Sequence, residues 1–166
     1  MKINNKDKNI VLIGFMGSGK TSVGKRLSLV LKREFIDTDD FIEKREGMTI
    51  NEIFKEKGEE EFRKIERELY KRFSTPKKKI IATGGGVIKN SANIANLKKG
   101  GVIVYLKSSP EKIAQNLKFD NTRPILQVDD KEAKIRELLA QREPFYNKYA
   151  EITIDVSNYD LIGEIE

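Results

Sequence analysis

The chain has 166 residues, 32 Lys and Arg against 26 Asp and Glu for a formal charge of +6, and neither histidine nor cysteine. The length suits one domain with a sizeable core, and the modest positive balance favours an anionic partner, a metabolite phosphate as readily as nucleic acid. Lacking imidazole and thiol, the chain excludes a Ser-His-Asp triad, a thiol nucleophile, a disulfide frame and a His/Cys zinc site; its chemistry must run on carboxylates, Lys, Arg, hydroxyls, backbone amides and a hard cation.

In chain order, short β-branched runs alternate with longer helical stretches, the pattern of an α/β fold. Asn9-Ile-Val-Leu-Ile-Gly14 is continuously apolar, as a strand covered on both faces is, and it ends in a glycine-rich turn. Val23, Leu27, Val30 and Leu31 then mark one face of a helix over 20–32. A second short strand, 34–37, carries Asp37-Thr-Asp39 at its carboxyl end. Thr49 and Glu52 are spaced as a capping box opening a short helix that ends before Gly58, and Phe62, Ile65, Leu69 and Phe73 stripe a helix over 59–74, stopped by Pro76. The run Lys77-Lys-Lys79 reads as a solvated connection.

Ile80-Ile-Ala-Thr83 is a strand running into Gly84-Gly85-Gly86, Ser91 caps a modest helix, and 102–106 is the next strand. Ser109-Pro110 places a cap and a first-turn proline before a helix to about Leu117. Residues 118–128 have no sustained period and hold Arg123-Pro124, so a mobile loop is expected there. A helix over 130–142 should end or kink at Pro144, and 152–156 alternates as a fifth strand before a short terminal helix. With glycine counted, about 45% of the chain is apolar, enough to fold. No window approaches a membrane span, residues 1–9 do not look like a signal peptide, and the expectation is a cytoplasmic protein that uses no membrane.

The strongest chemical signal is Gly14-Phe-Met-Gly-Ser-Gly19-Lys20-Thr21, a phosphate-binding loop standing where its mechanism requires, between a buried strand and a helix N-terminus. Its glycines let successive N–H groups reach phosphate oxygens, Lys20 neutralises the β and γ phosphates, and Thr21 offers a hydroxyl to Mg²⁺. Asp37 and Asp39 share one side if the strand geometry persists; one carboxylate then suits Mg²⁺ held through water and the other a substrate hydroxyl and its proton, against the plainer reading of a helix cap and a solvated Asp. Arg63 and Arg142 lie near apolar helix faces and either reach a cleft or stay solvated. Gly84–86 is a floor for a small substrate or a flexible turn, and Arg123 sits in a segment that could close as a lid.

Taken together, the phosphate loop, Phe35-Ile-Asp-Thr-Asp39, Phe62-Arg63 with Glu66, Thr83-Gly-Gly-Gly86, Thr122-Arg-Pro-Ile-Leu126 and Arg142-Glu-Pro-Phe-Tyr146 closely resemble shikimate kinase in order and spacing, over nearly the whole chain. The resemblance implies one domain over 1–166 with a three-layer, nucleoside-monophosphate-kinase-like fold: a five-stranded parallel sheet flanked by helices, a substrate-binding helical region at about 38–75 and a lid at about 118–128. It implies phosphorylation of the shikimate 3-hydroxyl by ATP, giving 3-phosphoshikimate and ADP on the route to chorismate. Gly17, Ser18, Gly19, Lys20, Thr21 and Ser22 would then meet ATP phosphates, Thr21 would hold Mg²⁺ directly and Asp37 through water. Asp39 would hold substrate hydroxyls, Arg63 and Arg142 the substrate carboxylate, Gly85 a backbone contact to substrate, and Arg123 the lid contact to ATP. Residues 155–158 are a candidate for the adenine, and a monomer acting on a small molecule without nucleic acid is expected. The alternatives are a gluconate or nucleoside-monophosphate kinase on the same scaffold, or a regulatory protein that binds ATP without transfer.

Overall fold

The computed structural model describes residues 5–119, 126 and 128–158. Its strands are β1 (Asn9–Ile13), β2 (Phe35–Asp37), β3 (Ile80–Ala82), β4 (Gly101–Lys107) and β5 (Ile152–Asp155). They form one sheet of order β2-β3-β1-β4-β5 in which every neighbouring pair is parallel. The helices are α1 (Lys20–Leu31), α2 (Thr38–Glu46), α3 (Ile50–Arg72), α4 (Ser91–Gly100), α5 (Pro110–Asn116) and α6 (Lys131–Tyr149).

The unbroken apolar run of β1 has the cause expected of it. Val11 and Ile13 face a core completed by Ile81, Ile103 and Tyr105 of the sheet and by α3 and α4. Leu12 faces the other way, with Ile80, Val104 and Leu106, toward Val23 and Leu27 of α1. Alternate residues of a strand point to opposite faces, so covering both faces favours apolar residues at successive positions, as at Val11, Leu12 and Ile13. Among the described residues, no helix is long and apolar enough to cross a membrane.

Local details depart from expectation in instructive ways. The apolar face of α1 is only half used: Val23 and Leu27 pack on the sheet, whereas Val30 and Leu31 are exposed. The helix seats at Gly24, where a Cβ would overlap the Phe35 ring, and only the turns around that contact reach the sheet. Asn90, not Ser91, caps α4, its side-chain oxygen accepting the Ala92 N–H at 2.9 Å. Thr49 does cap α3, accepting the Glu52 N–H at 3.1 Å, and the expected break at Gly58 is a kink (φ 87°, ψ 161°) inside one helical run.

Pro144 does not stop or visibly break α6, which continues to Tyr149. An interior proline loses its own N–H bond and crowds the carbonyl one turn earlier, but the turn beyond it is anchored by Tyr146, fully buried and stacked on Tyr105 at 4.9 Å. The short helix expected after β5 falls in 159–166, outside the described residues. So do residues 120–125 of the expected lid, including Arg123; Leu126 is buried with Phe15, Ile113, Leu117, Ile135 and Leu139.

Because all five strands run the same way, the carboxyl ends of β1, β2 and β3 open on one edge of the sheet. The loop after β1, the β2–α2 junction and the glycines after β3 meet there, the position at which open α/β sheets bind ligands.

Candidate active site

The phosphate loop is shaped by backbone conformations that favour glycine. Gly17 (φ 77°) and Gly19 (φ 93°) are left-handed, and Gly19 is the N-cap of α1 with no side-chain cap. The first-turn amides of Lys20, Thr21 and Ser22 are thus not claimed by a capping side chain and carry the partial positive charge of the helix end. Lys20 folds back over the loop, its Nζ donating to the carbonyls of Gly14 (2.6 Å) and Phe15 (3.0 Å). The Ser18 hydroxyl is buried with no hydrogen-bond partner. From α5, Asn116 Nδ2 donates to the Gly17 carbonyl at 2.9 Å, bracing the loop across 99 residues of sequence.

The strand geometry does not persist through Asp37-Thr38-Asp39: β2 ends at Asp37 and Thr38 opens α2, so the two aspartates do not share a strand side. Asp37 is the helix cap of the plainer reading, and it also bonds the phosphate loop. Its Oδ1 caps α2 by accepting the Asp40 N–H at 3.1 Å, and its Oδ2 accepts the Thr21 hydroxyl at 2.8 Å. That leaves two hard oxygen donors side by side at the N-terminus of α1. No group of three or more acidic residues among the described residues could cage a metal. The pair suits Mg²⁺, which binds through one or two protein oxygens plus phosphates and water.

The three glycines after β3 each receive a different side chain. A Cβ on Gly84 would sit 2.7 Å from Asp39 Oδ1, one on Gly85 would sit 3.5 Å from Arg142 Nη1, and one on Gly86 would overlap the Arg63 guanidinium. The carboxylate of α2, the arginine of α3 and the arginine of α6 therefore converge on three consecutive residues of bare backbone. Both arginines are brought to the cleft, and neither is a solvated surface charge.

Arg63 is held by Glu66, Nη1 to Oε1 at 2.9 Å, and lies over the Phe62 ring at 5.2 Å. Burial raises the Glu66 carboxyl above its ordinary value, against the pull of Arg63. Arg142 lies over the Phe15 ring at 5.3 Å, and its Nη1 is buried without a hydrogen-bond partner in the protein. A buried guanidinium donor short of hydrogen-bond acceptors, 3.5 Å from where a Cβ on Gly85 would sit, is the kind of group an anionic ligand satisfies.

Sequence reasoning missed the tie beneath this floor. Thr38 and Tyr70 are both fully buried. Thr38 Oγ1 accepts the Gly84 N–H at 3.1 Å, and the Tyr70 hydroxyl lies 3.3 Å from Thr38 Oγ1 and 3.4 Å from the Gly84 nitrogen. The available signal was spacing: residues 63, 66 and 70 share one face of α3, and a tyrosine on a buried stripe needs a partner for its hydroxyl. At the end of β5, Asp155 accepts the Ser157 N–H and the Ser157 hydroxyl accepts the Ser109 N–H, both at 2.9 Å.

The shikimate kinase family model matches residues 16–161. A shikimate kinase of Caldanaerobacter subterraneus subsp. tengcongensis is 53% identical over 151 residues, covering 91% of this chain and 88% of that one. Among solved structures, a shikimate kinase from Acinetobacter baumannii in complex with shikimate superposes with a TM-score of 0.88 at 39% identity, over 97% of this chain and 90% of its own. The shikimate kinase of Aquifex aeolicus superposes with a TM-score of 0.77 at 36% identity, over 95% and 90%. A match this long, in sequence and in fold alike, places the expected motifs in the expected scaffold: the chain belongs to the shikimate kinase family.

Proposed function

We propose that the protein transfers the γ-phosphoryl group of ATP to the 3-hydroxyl of shikimate, giving 3-phosphoshikimate and ADP, as a cytoplasmic monomer acting on a free small molecule. The observation that carries this reading is the convergence of Asp39, Arg142 and Arg63 on Gly84, Gly85 and Gly86, with Asp37 at the end of β2 bonded to Thr21 of the phosphate loop.

Phosphoryl transfer through a loose transition state asks the protein mainly for alignment and charge stabilisation, which explains how an enzyme without histidine performs it. Arg63 and Arg142 present paired N–H donors to the ring carboxylate, a geometry a planar anion matches two bonds at a time. The backbone at Gly85 lies under the ring. Asp39, at the other end of the floor, accepts the hydrogen bond of the reacting hydroxyl and holds its proton as the new bond forms. Gly17, Ser18, Gly19 and Ser22 present loop and helix-end donors to the triphosphate, and Lys20 exchanges its two loop carbonyls for phosphate oxygens.

Thr21 directly, and Asp37 through water, would hold Mg²⁺, which when bound withdraws charge from the β and γ phosphates. Arg123, outside the described residues, is assigned to ATP in a lid over 118–128. The helical region at about 38–75 supplies Asp39 and Arg63.

An ADP-release assay over a panel of shikimate, gluconate, nucleoside monophosphates and no acceptor tests the reading. Turnover should require both shikimate and Mg²⁺, and an equal rate without shikimate refutes it. Arg63→Ala should raise the KM for shikimate by about tenfold or more while leaving the KM for ATP close to wild type. An unchanged shikimate KM would remove Arg63 from the carboxylate site.

A further inference from the structure

The acceptor site is built from three separate pieces of chain: the first turn of α2, the face of α3 that carries Arg63, and the glycines after β3. What holds these pieces in register is not among the groups assigned to ATP or shikimate. Gly84 receives Asp39 on its open side. Its N–H points the other way, to Thr38 Oγ1, with the Tyr70 hydroxyl alongside at 3.4 Å from the nitrogen. Thr38 stands between the two aspartates of α2, and Tyr70 stands two turns beyond Arg63 on the same face of α3. One buried cluster therefore joins all three pieces immediately beneath the substrate floor.

We infer that Tyr70, through its hydroxyl contacts with Thr38 and Gly84, is a positioning residue for phosphoryl transfer that sets the spacing between the Asp39 end and the Arg63 end of the acceptor site. The inference rests on the acceptor site proposed above. The ring of Tyr70 fills the core with Leu69 and Phe73 nearby, a task phenylalanine performs equally well. The hydroxyl is what distinguishes it. Placed at full burial, it is worth its desolvation only where it finds partners, and its partners here are a floor amide and the residue next to Asp39. Burial, with Glu66 and Asp39 nearby, keeps the phenol protonated far above its ordinary range, so it remains able to donate.

The effect of such a tie is on alignment. Asp39 and the arginines grip opposite ends of one small ring, and a displacement of a few tenths of an ångström between them moves the reacting hydroxyl relative to the γ phosphorus. Binding of ATP, whose phosphates meet the loop after β1, is insulated from it.

The test is Tyr70→Phe, which removes one oxygen and keeps the ring. We expect kcat with shikimate to fall by about tenfold, with the KM for ATP within twofold of wild type. Thr38→Val should give a similar loss that Thr38→Ser restores, and the double variant Tyr70→Phe/Thr38→Val should lose less than the product of the single losses. Amide hydrogen exchange at Gly84 should be faster in Tyr70→Phe. Kinetic constants within twofold of wild type in Tyr70→Phe, even with a lowered Tm, overturn the inference and leave the hydroxyl a purely structural role. Absence of shikimate turnover in the wild type would overturn the functional reading instead; unchanged Gly84 exchange in Tyr70→Phe would then still refute the tie.

Discussion

Two glycine-rich segments, one after β1 and one after the neighbouring parallel strand β3, border the candidate site, and they use the same residue for different physical reasons. In the phosphate loop, Gly17 and Gly19 are required by backbone conformation, because both lie at left-handed φ. In the segment after β3, none of Gly84, Gly85 and Gly86 has a positive φ, and what crowds a side chain at Gly84 and Gly86 is space already taken by Asp39 and Arg63. One segment is glycine because of how its own chain bends, the other because of what approaches it. A loop shaped for phosphate can be recognised from its own string of residues. A floor shaped for a substrate can be recognised only with the side chains that lie on it.

The largest effect expected on this contrast comes from the one charged side chain of the phosphate loop. Lys20→Ala should lower kcat by roughly 10²- to 10³-fold, as removal of a preorganised donor to developing charge does, with the KM for shikimate within about twofold. Steady-state kinetics with each substrate varied decides it, and a rise in shikimate KM as large as the fall in kcat would show that the two segments are not separable.

Alanine at a glycine of each kind sharpens the comparison further. Gly17→Ala meets a left-handed φ and the Leu117 side chain, 2.7 Å from the new Cβ, and should destabilise the fold by about 1–3 kcal/mol in urea denaturation. Gly86→Ala meets only the Arg63 guanidinium, which Glu66 holds in place. It should leave stability near wild type and raise the KM for shikimate by about tenfold through displacement of that guanidinium. Equal losses of stability in the two variants would erase the distinction.

The smallest effect concerns the buried carboxylate beneath Arg63. Glu66 has its folded-state pKa raised above the ordinary 4.5, chiefly by burial. A carboxyl that binds its proton more tightly when folded favours the folded state at low pH, and that contribution is lost as the pH climbs above 4.5. Denaturation midpoints of Glu66→Gln should therefore rise relative to wild type as the pH climbs above 4.5. A difference independent of pH would mean that Arg63 fully offsets the burial.

Much of the fold was legible in advance because periodicity reports burial directly. Val11, Leu12 and Ile13 of β1 and the stripe of Phe62, Ile65, Leu69 and Phe73 are buried as read, with Ile10 partly buried. Two of the misreadings depended on a partner distant in sequence. Pro144 looks like a helix stop until Tyr146 is found stacked on Tyr105, and Val30 looks like core until Gly24 is found against Phe35. Asp37 looked like either a cap or a metal-site residue, and the structure shows it capping α2 while bonding Thr21. Spacing put Tyr70 on the face of Arg63 and Glu66, but it could not name Thr38 and Gly84 as the partners of its hydroxyl.

Composition alone excluded imidazole and thiol chemistry, and the order of residues determined the alternation of strand and helix and the loop for phosphate, because these two are properties of neighbours along the chain. Only the tertiary structure decided that Arg63 and Arg142 meet over one stretch of backbone, and that Asp39 lies at its other end. These residues lie on three different helices, and no local preference specifies the distance between them. The packing of those helices on a parallel sheet specifies it, since that sheet delivers the ends of β1, β2 and β3 to a single edge.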